Sequence, residues 1–186
     1  MIKELDKAVM VLRFGGTILY PTDTVWGIGC DATKREPVKK ISTLKKRKKD
    51  KGIIILVDSR KMLMKYVKEI PEQVRSIINV KTPLTIIYPD VTGIASNIAA
   101  KDGSVGIRIT RDKFCRKLIG ILGKPIVSTS ANISGKTVPG SFSEIAEPIL
   151  SGVDHIVNLR RNEKTSSQLS NIIKSSSSSK FEVIRK

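Results

Sequence analysis

Apolar and polar positions divide the chain into short helices and strands. Ile2, Leu5, Val9 and Leu12 recur at helical spacing, which predicts a helix over 2–14 stopped by Gly15-Gly16. The run Thr17-Ile18-Leu19-Tyr20 then predicts a strand, ended by Pro21, which has no N–H for a sheet ladder. Pro37 suits a first helical turn, and Val38, Ile41 and Leu44 form one stripe behind it. Ile53-Ile54-Ile55-Leu56-Val57 reads as a strand buried on both faces. Asp58 or Ser59 can cap a helix over 60–68, and Pro71 opens another over 72–79. Further strands are expected at 84–88, 104–109, 125–128 and 154–159, and helices at 112–122 and near 143–150. Ser175–Ser179 reads as a flexible loop between the arms of a final hairpin, Ile172-Ile173 and Phe181-Glu182-Val183-Ile184. Strands separated by helices mean an α/β fold, and several close strand pairs mean a mixed sheet. No repeat or boundary interrupts the pattern, so 1–186 is expected to be one domain.

Charge adds a partner class. Lys and Arg number 34 against 17 Asp and Glu, a net charge of +17. Such an imbalance suits an anionic partner: nucleotide, RNA or both. A merely basic, soluble surface is the bland alternative. At 4% aromatic residues, a stacking platform for single-stranded nucleic acid is disfavoured. Cys30, Cys115 and the single His155 are too few for a zinc site, and isolated thiols suit a reducing cytoplasm. The N-terminus carries acids and lacks the apolar core of a signal peptide, and no apolar run reaches membrane-spanning length.

Three motifs fail on context. Gly27-Ile28-Gly29-Cys30-Asp31-Ala32 fits a dinucleotide fingerprint, but Pro37 falls inside the helix it should open. Gly135-Lys136-Thr137 resembles a P-loop tail, but Ser130 stands where the first glycine belongs and Pro139 breaks the following helix. No G-x-S-x-G elbow accompanies His155. The remaining constellation is cationic and rich in hydroxyls. Thr22, Asp23 and Thr24 stand at a strand end before Trp26, either as a ligand loop or as a polar turn beside a buried indole. Lys45, Arg47 and Lys51 precede the all-apolar strand, and read as phosphate ligands or as a solvated basic run. Ser128-Thr129-Ser130-Ala131-Asn132-Ile133-Ser134-Gly135 sets four hydroxyls and an amide directly after another strand, enough to hold a phosphate or ribose, or else to cap a turn.

These segments carry a resemblance. Pro21-Thr22-Asp23-Thr24-Val25-Trp26-Gly27-Ile28-Gly29, Lys45-x-Arg47 with Lys51-Gly52, Ser104-Val105-Gly106-Ile107-Arg108 and Ser128 to Gly135 resemble, in order, the signatures of the threonylcarbamoyl-AMP synthase (YrdC-like) family in its short form. Ser170-Asn171-Ile172-Ile173 and Ile184-Arg185 extend the similarity over nearly the whole chain. Lys48, Thr110, Leu169 and Asn171 depart from the pattern, and these departures bear on loop detail.

The resemblance implies a YrdC-like twisted, mixed parallel and antiparallel sheet with flanking helices and a basic concave cleft. It implies a nucleotidyltransferase that makes threonylcarbamoyl-AMP and pyrophosphate from L-threonine, bicarbonate and ATP, with Mg²⁺ on the ATP, for t6A modification of tRNA. Arg47, Lys51, Ser104, Ser130 and Arg185 would hold ATP, and Thr24, Arg108, Ser128 and Asn171 would hold threonine. Lys45, Arg47, Ser130 and Asn132 would form the catalytic group. tRNA or double-stranded RNA and t6A-forming proteins are the implied partners. The rival reading is a non-catalytic double-stranded RNA- or tRNA-binding relative on the same fold. An RNA binder needs the charge but not the hydroxyl-amide loop.

Overall fold

The computed structural model describes residues 1–47, 52–70, 72–78, 82–165, 169–175 and 181–185. The chain opens with α1 (Ile2–Arg13), whose buried stripe is Leu5, Ala8, Val9 and Leu12, as the helical spacing requires. Strands β1 (Ile18–Tyr20) and β2 (Gly27–Gly29) pair antiparallel, so the polar residues between them sit in a hairpin connection. Gly29 is needed there: a Cβ would lie 2.5 Å from the Val127 carbonyl oxygen and 2.7 Å from the Tyr20 ring.

Next come α2 (Arg35–Leu44), β3 (Ile55–Val57), α3 (Arg60–Leu63), α4 (Glu72–Ile77), β4 (Leu84–Tyr88) and β5 (Val105–Ile109). Helix α3 is a single turn rather than a run over 60–68. Ser59 caps it by accepting from the Met62 N–H, and tighter turns from Met62 and Leu63 then carry the chain onward. Lys113–Leu122 forms α5, capped by the Asp112 carboxylate and ended by Gly123 at φ +74°.

Strands β6 (Ile126–Val127) and β7 (Thr129–Ser130) follow, where one strand was expected. The expected helix near 143–150 is a 3₁₀ turn (Phe142–Glu144) and a separate α6 (Glu147–Gly152). Pro148 lacks an N–H and fits only in a first turn, so the α-helix begins there. Strands β8 (His155–Ile156), β9 (Asn171–Ser175) and β10 (Phe181–Arg185) complete the order.

The pairing is mixed, as expected, but divided between two sheets. One runs β7-β2-β1-β8 and the other β10-β9-β4-β5-β3-β6. Each contains parallel and antiparallel pairs: β1 with β8, β3 with β5 and β4 with β9 are parallel. The chain crosses between sheets at Ser128, because β6 pairs with β3 and β7 pairs with β2. Helices α3 and α5 cover the six-stranded sheet at β3, and α1 packs on α5 and β1. The terminal hairpin is present, β9 against β10, with a bulge between Val183 and Arg185. Most of the serine run lies outside the described residues. Among the described residues no helix is long and apolar enough to cross a membrane.

Candidate active site

Side chains alternate across a strand, and that alternation builds the site. On the six-stranded sheet, Ile86, Tyr88, Val105, Ile107 and Ile173 point into the core. The intervening Thr85, Ile87, Gly106, Arg108 and Ile172 point the other way and floor a cavity of about 560 Å³. The β1–β2 connection supplies Thr22, Thr24 and Val25, and the sheet crossing supplies Ser128, Thr129 and Ser130. Arg47, Arg108 and Arg185 are the charged residues of the described lining; no carboxylate joins them.

Arg108 is 3% exposed. One guanidinium nitrogen lies 3.2 Å from Asp23 Oδ1 and another donates to Thr24 Oγ1 at 3.4 Å, while Nε has no hydrogen-bond partner among the described residues. Thr22 Oγ1 donates to the Val25 carbonyl at 2.7 Å and accepts from the Thr24 N–H at 3.0 Å. The connection is therefore a fixed loop that orients Thr24 and Arg108. Trp26, 1% exposed, backs it by packing against Phe142 with ring centroids 4.9 Å apart. Thus the polar turn with a buried indole is itself the wall of the cavity.

Lys45 is fully enclosed at 2% exposure and does not line the cavity. Its ammonium donates to the carbonyls of Ser130 and Asn132 and to Asn132 Oδ1. An ammonium has three N–H groups, so all are engaged by one loop. The Ser134 N–H donates back to the Lys45 carbonyl at 2.8 Å. Ser130 Oγ donates to Asn132 Oδ1 at 2.6 Å, and Asn132 Nδ2 donates to the Lys136 carbonyl. The Lys45 and Asn132 side chains thus form a frame that holds Ser130 at the cavity wall. Arg47 reaches the cavity, with one guanidinium nitrogen donating to the Gly52 carbonyl at 2.6 Å.

Burial, and then the nearby Arg47 charge, push the Lys45 ammonium down from 10.5 to about 8. The folded pKa lies below the unfolded one, so between about pH 8 and 10.5 the unfolded chain binds the extra proton. Stability from this group is therefore gained as pH rises through that window. Comparing melting temperatures of wild type and Lys45→Met across pH 7–10.5 should show wild type improving relative to the variant above pH 8. A constant difference would mean that Lys45 keeps its proton throughout.

Arg185 ends the edge strand. Its Nε and Nη2 donate to the Ser170 carbonyl at 3.0 and 2.7 Å. Ser170 Oγ in turn pairs with Thr85 Oγ1 at 2.8 Å. Burial lowers the Arg185 pKa, and repulsion from Arg108 lowers it further. Two guanidinium groups held this close favour an anion between them. Ser104, 8% exposed, lines the cavity and donates its hydroxyl proton to Asp102 Oδ1 at 2.6 Å.

The cavity therefore gathers Thr24, Arg47, Ser104, Arg108, Ser128, Ser130 and Arg185. Lys45 and Asn132 stand behind it, and Lys51 lies outside the described residues. Asn171 does not line it either: Ser170 and Ile172 face the cavity, so Asn171 between them faces away. Thr85, which lines the cavity, was missed. A threonine inside Leu84-Thr85-Ile86-Ile87-Tyr88 is ordinary in a strand, and only its pairing with Ser170 marks it.

Residues 10–186 match the sequence model of the Sua5/YciO/YrdC family, described as telomere recombination. The chain belongs to the Sua5/YciO/YrdC family. A threonylcarbamoyl-AMP synthase of Pseudoalteromonas translucida is 31% identical over 155 residues, 81% of this chain and 83% of the relative. A structure of a P. abyssi Sua5 variant superposes with a TM-score of 0.88 at 29% identity, covering 97% of this chain and 55% of that one. The same Sua5 solved in complex with L-threonine gives 0.83 at 30% identity, over 92% of this chain and 50% of that one. This family member therefore spans about half the length of the P. abyssi protein.

Proposed function

We propose that the protein is an L-threonylcarbamoyladenylate synthase, a nucleotidyltransferase acting on L-threonine, bicarbonate and MgATP for t6A modification of tRNA. The observation that carries this reading is one cavity holding Arg108 with Thr24 and Ser128, and Arg47 with Ser130 and Arg185. It stands in a chain whose relatives bear the name threonylcarbamoyl-AMP synthase. The threonine amine attacks the bicarbonate carbon, and water leaves to give a carbamate. A carbamate oxygen then attacks the α-phosphorus, the α–β P–O bond breaks, and pyrophosphate departs. Neither step needs a nucleophilic side chain; both need positioning and offset of negative charge.

In this reading Arg108, Thr24 and Ser128 hold threonine, while Arg47, Ser104, Ser130 and Arg185 hold ATP, with Lys51 by resemblance. Lys45 and Asn132 act by framing Ser130. Mg²⁺ enters on the triphosphate: among the described residues no carboxylate lines the cavity and no three His, Cys, Asp or Glu side chains cluster as a metal site, so the phosphates supply most of its ligands. The reading sets the work in the cytoplasm, where ATP and tRNA meet. Pyrophosphate release tests it: the full rate should need threonine and bicarbonate together. Release at full rate without threonine would make the protein an ATP pyrophosphatase.

Removing Arg185 and Lys186 should lower ATP-dependent stabilisation and turnover by about tenfold, the scale of one lost charged phosphate contact. The ligand-free melting point should change little, because the neighbouring Val183 and Ile184 are half exposed on an edge strand. Turnover equal to the full chain would show that the site closes without Arg185.

The +17 charge supports contact with tRNA or double-stranded RNA beside catalysis. Affinity should fall steeply between low and physiological salt, as phosphate neutralisation releases counterions. Binding that ignores salt would remove RNA from the partners. The non-catalytic alternative is not favoured, because charge alone leaves the buried Lys45–Asn132 frame and the arginine-lined cavity without a use.

A further inference from the structure

The cavity sorts its hydrogen-bonding groups by polarity. Its arginines offer only donors. Ser104 is turned the opposite way. The Ser104 N–H and Oγ–H both go to Asp102 Oδ1, at 3.1 and 2.6 Å. Asp102 Oδ2 accepts from Lys174 Nζ at 2.7 Å, an ion pair that ties the start of β5 to β9. The lysine and the two Ser104 bonds hold the Asp102 carboxyl well below the usual carboxylate range, so it stays ionised and can only accept. A serine hydroxyl has one proton. With that proton spent on Asp102, the Oγ faces the cavity with its lone pairs alone.

A phosphate oxygen is also an acceptor and meets such a group as like against like. Binding it would require Ser104 to turn its proton inward and leave Asp102 short of a partner. A ribose hydroxyl or the exocyclic amine of adenine carries a proton and fits without rearrangement. Ser130 is turned the same way by Asn132 Oδ1, but an amide is a weaker lock than a carboxylate.

We propose that Ser104 reads a hydrogen-bond donor on the nucleoside part of ATP, and that Asp102, braced by Lys174, is the positioning residue that fixes its polarity. This rests on the cavity being the nucleotide site of the reading above. It divides the labour within that site: arginines take the phosphates, and Ser104 checks the nucleoside.

The test compares binding of ATP, 2′-deoxy-ATP, 3′-deoxy-ATP, ITP and inorganic tripolyphosphate to wild type, Ser104→Ala, Asp102→Ala and the double variant. The analogue lacking the recognised donor should bind wild type roughly three- to tenfold more weakly than ATP, the range for one neutral hydrogen bond. A deoxynucleotide would identify the ribose as the source, and ITP the adenine amine. Ser104→Ala should erase that preference and leave tripolyphosphate binding unchanged. Asp102→Ala should shrink the preference in the Ser104 background and do nothing further in Ser104→Ala, which a merely structural Asp102 would not do. The proposal is overturned if Ser104→Ala weakens tripolyphosphate as much as ATP, if its effect tracks Mg²⁺ concentration, or if no analogue is discriminated. Nucleoside discrimination without threonine-dependent pyrophosphate release would retain this proposal and overturn the synthase assignment instead.

Discussion

Arg108→Ala is expected to cut threonine-dependent pyrophosphate release by about a hundredfold or more. A buried guanidinium with an unpartnered Nε can give a carboxylate more than one charged hydrogen bond, each worth about 1.5–3 kcal/mol. The loss has a second part. Asp23 Oδ1 lies 3.2 Å from Arg108, and without that cation it leaves an uncompensated carboxylate behind the cavity wall, whose charge repels the amino acid's own carboxylate. The expected result is therefore a large loss of threonine affinity that Asp23→Asn partly recovers in the Arg108→Ala background. ATP-dependent stabilisation should fall much less. If ATP and threonine binding fall together and Asp23→Asn restores nothing, Arg108 supports the fold and not the ligand.

Arg47→Ala should do the reverse, weakening ATP binding by roughly ten- to hundredfold and threonine binding little. Its guanidinium sits in the cavity beside the Gly52 carbonyl, and its neighbour Lys45 is spent on the Ser130–Asn132 loop. Lys39→Ala, an exposed residue of α2, removes the same charge from the protein surface and serves as the control. Isothermal titration with each ligand separates the cases. Equal losses from Arg47→Ala and Lys39→Ala would reduce Arg47 to part of the general positive field.

The strands that floor the cavity were legible because their apolar runs are strong, but which face Gly106 and Arg108 take came only from the structure. Candidate ligand loops were also legible, since short polar runs after apolar strands mark them in α/β proteins, while their order as signatures came from the family resemblance. The role of Lys45 was not. In the sequence it heads a basic run, and such a run reads as solvated. Its burial comes from a loop 85 positions away folding over it, a contact that no local pattern encodes. Asn171 shows a different limit. A side chain's face depends on strand register, and one position reverses it. Parallel pairing of β9 with β4 sets that register and turns Ser170, not Asn171, toward the cavity. The division into two sheets was hidden for the same reason as Lys45: Ser128 is one residue, and the crossing there depends on distant partners in β2 and β3.

The most direct test follows the carbon. The protein is incubated with MgATP, L-threonine and ¹³C-labelled bicarbonate, and the nucleotide products are separated rapidly and weighed by mass spectrometry. The account predicts a new adenylate carrying both the threonine mass and the label, formed in step with pyrophosphate and lost on omission of any one substrate. An adenylate that contains threonine but no label, or pyrophosphate release with AMP as the only nucleotide product in the presence of all three substrates, would contradict it.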